Sequence, residues 1–342
     1  MTLGYVPHLP SGSLLFTAIA WRYLLKGAVH KVNSIEEVYG HVGGRKRNLF
    51  GERIGFASIA LFGGSLSPEE VLIRHTLFGV YSRTLAKHTA DSWAQNLVDG
   101  RQRNGHLPVQ LQRGTFRKLE LTTTSLRSCR SCVEKDMDEQ GFASWRILHT
   151  LPPVHHCPYH GDALITEAEG RAGRNIWDLR LPTGVPIHPP NQHFECASDG
   201  YAAYLRLWID LLNGNLPVLE ATSWARCMNA VAERMGSVGN AINELSNLLT
   251  MSWNCHPDRL PKVLGNHIQV DFLRLELEHR STPNRIAQKL VTLGACELHG
   301  IVSAKELVSE QLTIPLGSDG KRSLRESRER LICDTLLHAG FP

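Results

Sequence analysis

The chain has 342 residues, of which 42% are hydrophobic and 20% charged, and its formal net charge is +4. This is the composition of a soluble globular protein long enough for two domains, each burying its own core. A metal site is therefore not needed to rescue a tiny fold, and the near-balanced charge rules out naming a partner from bulk charge.

In chain order, SLLFTAIAWRYLL near the N-terminus is apolar, but no basic residue precedes it and Arg22 interrupts it. It is too short and too amphipathic for a membrane span or an export signal, so a reducing, cytoplasmic setting without membrane contact is expected. The same stretch predicts a helix over Ser13 to Lys26, preceded by Pro10 and stopped by Gly27. Ser34 and Glu37 stand at capping-box spacing, with Gly40 as the terminator. A third helix ends at Gly63 and Gly64, and a fourth starts from Ser67 as N-cap, with Pro68 in its first turn and Glu70 completing a capping box. The pair Ile54 to Phe62 and Pro68 to Leu77 has helix-turn-helix proportions, a spacing that plainly packed helices share.

Positive residues gather in three places: Arg45, Lys46 and Arg47; the stretch from Arg101 to Arg130, including Arg113, Arg117 and Lys118; and Lys321, Arg322 and Arg325. Each group reads either as a solvated face or as a contact for a polyanion, nucleic acid or an acidic protein patch. Residues 100–128 read as a connector into CRSCVEKDMDEQGFASWRILHTLPPVHHCPYHG, and the Gly- and Pro-rich stretch beyond it as an extended linker. From Tyr201 on, YAAYLRLWIDLLNG, VGNAINELSNLLT and VDFLRLELEH carry apolar residues at helical spacing. Arg285 to Gln311 gives two short helices about a glycine, a second helix-turn-helix candidate in which Lys305 and Glu306 would be the readers; a plain helical bundle fits as well.

Cys129, Cys132, Cys157 and His160 form a C-x2-C and C-x2-H set, two knuckles that together complete a tetrahedron. Soft sulfur with one imidazole suits zinc, and four protein donors leave no open position for water, so one structural ion is expected. His155 and His156 lack the spacing and are expected at the surface or beside the ligands. The scattered Cys196, Cys227, Cys255, Cys296 and Cys333 read as single thiols, not a disulfide framework. Neither H-E-x-x-H nor a zinc-deaminase signature is present, and GHVGGRKRN lacks the phosphate-loop order. No enzyme is expected; a zinc-bearing nuclease is the alternative of another class.

The residues around the ligands resemble the zinc-binding signature of the TniQ/TnsD family: Gly141, Trp145–Arg146, His149, Leu151–Pro152, Cys157-Pro158, His160-Gly161 and Leu164. HLPSGSLLFTAIAWRYLLKG and RHTLFGVYSRTL are similar to family segments as well, so the resemblance covers residues 1 to about 166. It implies target selection for transposons that use a separate AAA+ ATPase of the TnsC kind. The chain would be an adaptor linking that ATPase to a guide-RNA-bearing CRISPR effector (Cascade-like) or to target DNA. The alternative is a sequence-specific duplex DNA binder acting without guide RNA, as TnsD does; a homodimer is a further implied partner. Many relatives carry a second C-x2-C knuckle soon after the first module, whereas residues 162–195 here hold no cysteine.

The expected fold is mainly α: an N-terminal helical, helix-turn-helix-like part (1–128), a zinc-ribbon or zinc-finger module (129–166), a linker (167–199) and a C-terminal helical domain (200–342) with the second helix-turn-helix candidate. The zinc would tie the connector to the Pro-rich exit and present the stretch with Trp145 and Ile147 for docking.

Overall fold

The structure is a computed structural model that describes residues 9–27, 31–40, 49–51, 53–100, 125–151, 154–169, 179–187, 198–216, 219, 221–255, 259–260, 271–278 and 286–302. It is mainly helical, and the described strands form one two-stranded sheet. Helix α1 (Leu15–Leu25) buries Leu15, Ala18 and Ile19. Arg22, the residue that interrupts its apolar run, is buried too: its guanidinium donates to the Ala60 carbonyl at 2.6 Å and to Glu37 at 3.2 Å. Glu37 also pairs with Lys26, and hydrogen bonding from Lys26, then Arg22, holds its carboxyl below the usual range. The apolar N-terminal run is therefore core-facing, fastened to its neighbours by one buried cation. Among the described residues no helix is long and apolar enough to cross a membrane.

Helix α2 (Lys31–Tyr39) begins before Ser34, so that serine lies inside the helix and is not its N-cap. A Ser-x-x-Glu spacing also fits a polar turn within a helix, and only the backbone path separates the two. The expected stop does hold: Gly40 takes φ 71°, and its N–H returns to the Glu36 carbonyl at 2.6 Å. Helix α3 (Ile54–Phe62) ends at left-handed Gly63. Helix α4 (Pro68–His75) starts with both arms of the capping box, Ser67 Oγ accepting from Glu70 N–H at 3.2 Å and Ser67 N–H donating to Glu70 at 3.0 Å. The short α5 (Phe78–Tyr81) and a 3-10 turn, Ser82–Thr84, lead into α6 (Lys87–Asp99). Phe50, Phe78 and Trp93 meet there, with ring centroids 4.8–5.3 Å apart where Trp93 touches the other two.

Strand β1 (Ser125–Ser128) pairs antiparallel with β2 (Ile165–Glu169), with a bulge between Leu126 and Arg127. Between them lie α7 (Arg130–Gln140) and the one-turn α8 (Ile147–Thr150). The helices that follow are α9 (Asp199–Asn213), α10 (Ala221–Arg234), α11 (Val238–Trp253), α12 (Phe272–Leu277) and α13 (Ile286–Leu298). Ser198 and Ser237 cap α9 and α11 through their side chains. Gly200 lets α9 meet the end of α11, since a Cβ there would lie 2.5 Å from the Trp253 ring. In α13, every residue from Ile286 to Cys296 is buried, including Lys289, whose Nζ donates to the Leu219 carbonyl at 2.7 Å. The first helix of the C-terminal helix-turn-helix candidate is thus a core helix, while Lys305 and Glu306 lie outside the described residues.

One apolar core runs from Leu9 and α1 through Trp145 to α9–α13. The N-terminal and C-terminal helices also share backbone bonds, Leu219 N–H donating to the Arg83 carbonyl at 2.7 Å.

Candidate metal centre

The first knuckle is built on a helix start. Cys129 is the N-cap of α7, its sulfur accepting from the Cys132 N–H at 3.4 Å, which places Cys132 one turn on with its sulfur on the same side. The N-terminal end of a helix favours negative charge, so the first knuckle opens at a place suited to an anionic donor. The second knuckle is a turn: the Gly161 N–H returns to the Cys157 carbonyl at 2.8 Å, Gly161 takes φ 75°, and the Cys157 N–H donates to the Asp162 carbonyl at 2.7 Å. The pairing of His156 with Ala163 closes the loop.

These two knuckles face each other. One ligand atom from each of Cys129, Cys132, Cys157 and His160 lies within 4.8 Å of all the others. His160 Nδ1 is 3.5, 3.3 and 3.6 Å from the sulfurs of Cys129, Cys132 and Cys157, and the Cys132 and Cys157 sulfurs are 3.6 Å apart. A tetrahedral ion bonded at about 2.3 Å to sulfur and about 2.0–2.1 Å to imidazole would set S···N edges of about 3.5 Å and S···S edges of about 3.8 Å. The donor set fits one such ion. The three cysteines are almost fully buried, and His160 forms the exposed corner.

Without a cation the sulfurs compete for charge. Hydrogen bonds from Cys129 and Cys132, and then the N–H groups of Tyr159 and His160, push the Cys157 thiol below the usual thiol range. Cys132 is pushed the other way, by its contacts with Cys129 and Cys157 and by burial. A dication removes that competition by favouring all three thiolates at once.

Around the ligands sits a second set of side chains that ligand spacing does not reveal. His149, one per cent exposed, places Nε2 3.4 Å from the Cys157 sulfur and 3.9 Å from that of Cys132. Burial, then Arg146, pushes its pKa down to about 3, so the ring is neutral and can donate Nε2–H to sulfur. Asp162 accepts from Ser131 Oγ at 2.5 Å and lies 3.3 Å from the Cys129 sulfur. Arg146 pairs with buried Asp136, which also accepts from Ser144 N–H at 3.0 Å, and stacks over the Tyr159 ring. Buried Arg127 donates to the Leu151 and Val154 carbonyls at 2.5 and 2.7 Å and so holds the chain entering the second knuckle. Glu167, fully buried in β2, accepts from Ser128 Oγ, from Thr183 N–H and Oγ at 2.7 Å, and from Gly184 N–H at 2.9 Å.

Trp145 and Ile147 are not presented for docking. Trp145 and Ile147 are fully buried. Trp145 Nε1–H donates to the Arg180 carbonyl at 2.8 Å and its N–H to Thr17 at 3.0 Å, while the Ile147 N–H donates to the Gly12 carbonyl at 2.8 Å. An aromatic and a β-branched side chain between two metal knuckles serve as the anchor of the module in the core. His155 and His156, expected at the surface or beside the ligands, donate their backbone N–H groups to the Tyr201 hydroxyl at 3.0 and 3.2 Å, tying the second knuckle to α9. Cys227 and Cys296 are buried and in no disulfide, as expected of isolated cysteines.

The cationic groups Arg45, Lys46, Arg47, Arg113, Arg117, Lys118, Lys321, Arg322 and Arg325 lie outside the described residues. No curated protein matches the chain. The model of the TniQ family matches residues 28–164, a span that contains all four donors, so that this chain carries a TniQ domain.

Proposed function

We propose that this protein selects the insertion target in transposition as a non-catalytic adaptor, joining a target-recognising complex to an AAA+ ATPase of the TnsC kind. The TniQ domain carries the coarse assignment to transposition target selection. The finer role rests on the one observation that the four-donor centre lies within that domain and is closed. Three thiolates and an imidazole suit zinc, and they leave no ligand position for a reacting water. Zinc would supply a clamp between two chain segments and no chemistry of its own. The partner on the target side is a CRISPR effector with its guide RNA, and the setting is cytoplasmic.

Helix α4 supports the adaptor over a protein that reads duplex DNA itself. In a helix-turn-helix reader the first residues of the second helix approach base edges. Here that turn carries Glu69 and Glu70, with Glu70 engaged in the cap, and two carboxylates at this end would meet phosphate unfavourably. Two measurements on the purified chain test the proposal: co-sedimentation with a TnsC-type ATPase, and selection against genomic duplex fragments at physiological salt. ATPase association without an enriched duplex is expected. One enriched duplex sequence with no ATPase association would replace the adaptor with direct DNA recognition.

A further inference from the structure

The four donors of the metal centre are not held alike. Cys129 accepts from the Cys132 N–H at 3.4 Å and has Asp162 Oδ2 3.3 Å away, itself held by Ser131. His149 Nε2 stands 3.4 Å from the Cys157 sulfur and 3.9 Å from that of Cys132, and Cys157 also accepts from the Tyr159 and His160 N–H groups. All three cysteines are at most 2% exposed. His160 is the exposed donor, and among the described residues its ring has no hydrogen-bond partner beyond the sulfurs themselves.

A ligating imidazole ordinarily donates its other ring N–H to a carboxylate or carbonyl, which fixes the ring and raises its basicity. Such support is worth about 10- to 100-fold in metal affinity. In His160, Nδ1 faces the sulfurs, so Nε2 lies on the far side of the ring, where no described residue clamps it. The turn around it adds no hold: the Tyr159 ring packs on Arg146, and a Cβ on Gly161 would meet no atom within 4 Å. The sulfurs are thus each supported from behind, and the imidazole is not.

We infer that His160 is the gate of the centre: its imidazole leaves first, and the ion enters and departs through the position it vacates while the three sulfurs stay in place. The bond to Nδ1 breaks with its electron pair kept on nitrogen. A donor atom of an incoming ligand fills the position with its own pair, so no oxidant or reductant is needed. Small molecules with thiolate or aromatic nitrogen donors are the ligands that such a position takes. The inference rests on the four-donor set and not on the transposition role.

Mixing the zinc-loaded, full-length protein with a chromophoric pyridylazo chelator tests it. Release should accelerate in proportion to chelator concentration, because the chelator binds before the sulfurs let go. A rate independent of chelator concentration would mean that the whole module opens first, and would overturn the inference. His160→Cys, which keeps four donors and puts a thiolate at the gate, should slow release roughly tenfold or more; release as fast as the parent's would also overturn it. Acylation by diethyl pyrocarbonate, mapped by mass spectrometry, needs no substitution. Relative to the zinc-free protein, zinc should protect His160 from acylation less than it protects the amides of residues 129–132 from hydrogen exchange. Equal protection would place the opening in the whole module and remove the gate. A cobalt-loaded parent without a three-sulfur, one-nitrogen spectrum would remove the donor set, and the gate with it.

Discussion

Two histidines stand close to the three sulfurs, and the structure ranks them. His160 Nδ1 lies 3.3–3.6 Å from all three, the edge length of a shared tetrahedron, whereas His149 Nε2 approaches only Cys157 and Cys132, at 3.4 and 3.9 Å. His160 therefore fits the fourth corner of the donor set, and His149 is a hydrogen-bond donor to its sulfurs. Structural zinc sites bind with about 10–16 kcal/mol, and an even share among four ligands puts one imidazole at roughly 2.5–4 kcal/mol, or about 10²–10³-fold in affinity. Loss of a group that only hydrogen-bonds a ligand costs about 10- to 100-fold. His160→Ala should thus weaken zinc binding by the larger factor and His149→Ala by the smaller. Both would be read by competition against a chromophoric chelator, with metal content per chain from mass spectrometry. Cobalt substitution gives an independent readout, because His149→Ala should keep a tetrahedral three-sulfur, one-nitrogen spectrum and His160→Ala should lose it. If His149→Ala alone lost the metal while His160→Ala bound as tightly as the parent, the assignment would be reversed.

Other perturbations reach the surroundings of the centre. Arg127→Met takes the donor from the Val154 carbonyl and leaves the Leu151 carbonyl with the Val154 N–H alone, so urea unfolding should show a loss of about 1–3 kcal/mol, with equal stability refuting the role. Glu167→Gln keeps the shape but cannot accept from all its donors; hydrogen exchange should rise around Thr183 and Gly184 and remain unchanged in α9. Gly79→Ala would place a Cβ 2.1 Å from the Ile73 carbonyl and should cost about 3 kcal/mol or more, whereas Gly63→Ala, with open space and φ 60°, should cost only about 1–2 kcal/mol. Reversing the charge of Arg45, Lys46 and Arg47 together should weaken association with the ATPase or effector in co-sedimentation; unchanged association would make them ordinary solvated surface.

What could be read from the sequence was local. The Ser67 capping box and the stop at Gly40 are written within four residues, and both formed. The four ligands were legible for the same reason, since each knuckle closes over three residues and needs nothing distant to give it shape. The start of α2 was misplaced because Ser-x-x-Glu has one composition and two structural meanings. Helix α6 carries no side-chain cap and buries little beyond Trp93 and Leu97, so its signal is faint. Helix α10 buries Trp224, Cys227, Met228 and Val231 at helical spacing, a signal present in the sequence and missing from the expectations. The partners that support the centre were out of reach in principle. Arg127 bonds to residues 24 and 27 positions away, and Glu167 to one 39 positions away. Nothing in the local sequence marks an arginine as the buried one.

A protein with so large a core has little need of zinc for stability, and the position of the centre explains its use. The cysteines form an apolar cluster of their own, apart from the main core and joined to its edge by Leu164. The stretch between the knuckles is already held by Trp145 in the core and by backbone bonds to Gly12 and Leu14. What the core does not hold is the pair of turns themselves: the second knuckle has His160 at its exposed corner and Gly161 in a left-handed conformation. Ordering such turns costs about 1–2 kcal/mol of backbone entropy per residue, and Tyr159, His160 and Gly161 of the second knuckle stay exposed, with little burial to offset it. One ion shared by both turns would supply that free energy where the core cannot. Chelation should therefore raise hydrogen exchange in residues 129–132 and 157–162 while α9, α11 and α13 keep their protection. Global unfolding on chelation would instead mean that the metal is part of the core's own stability.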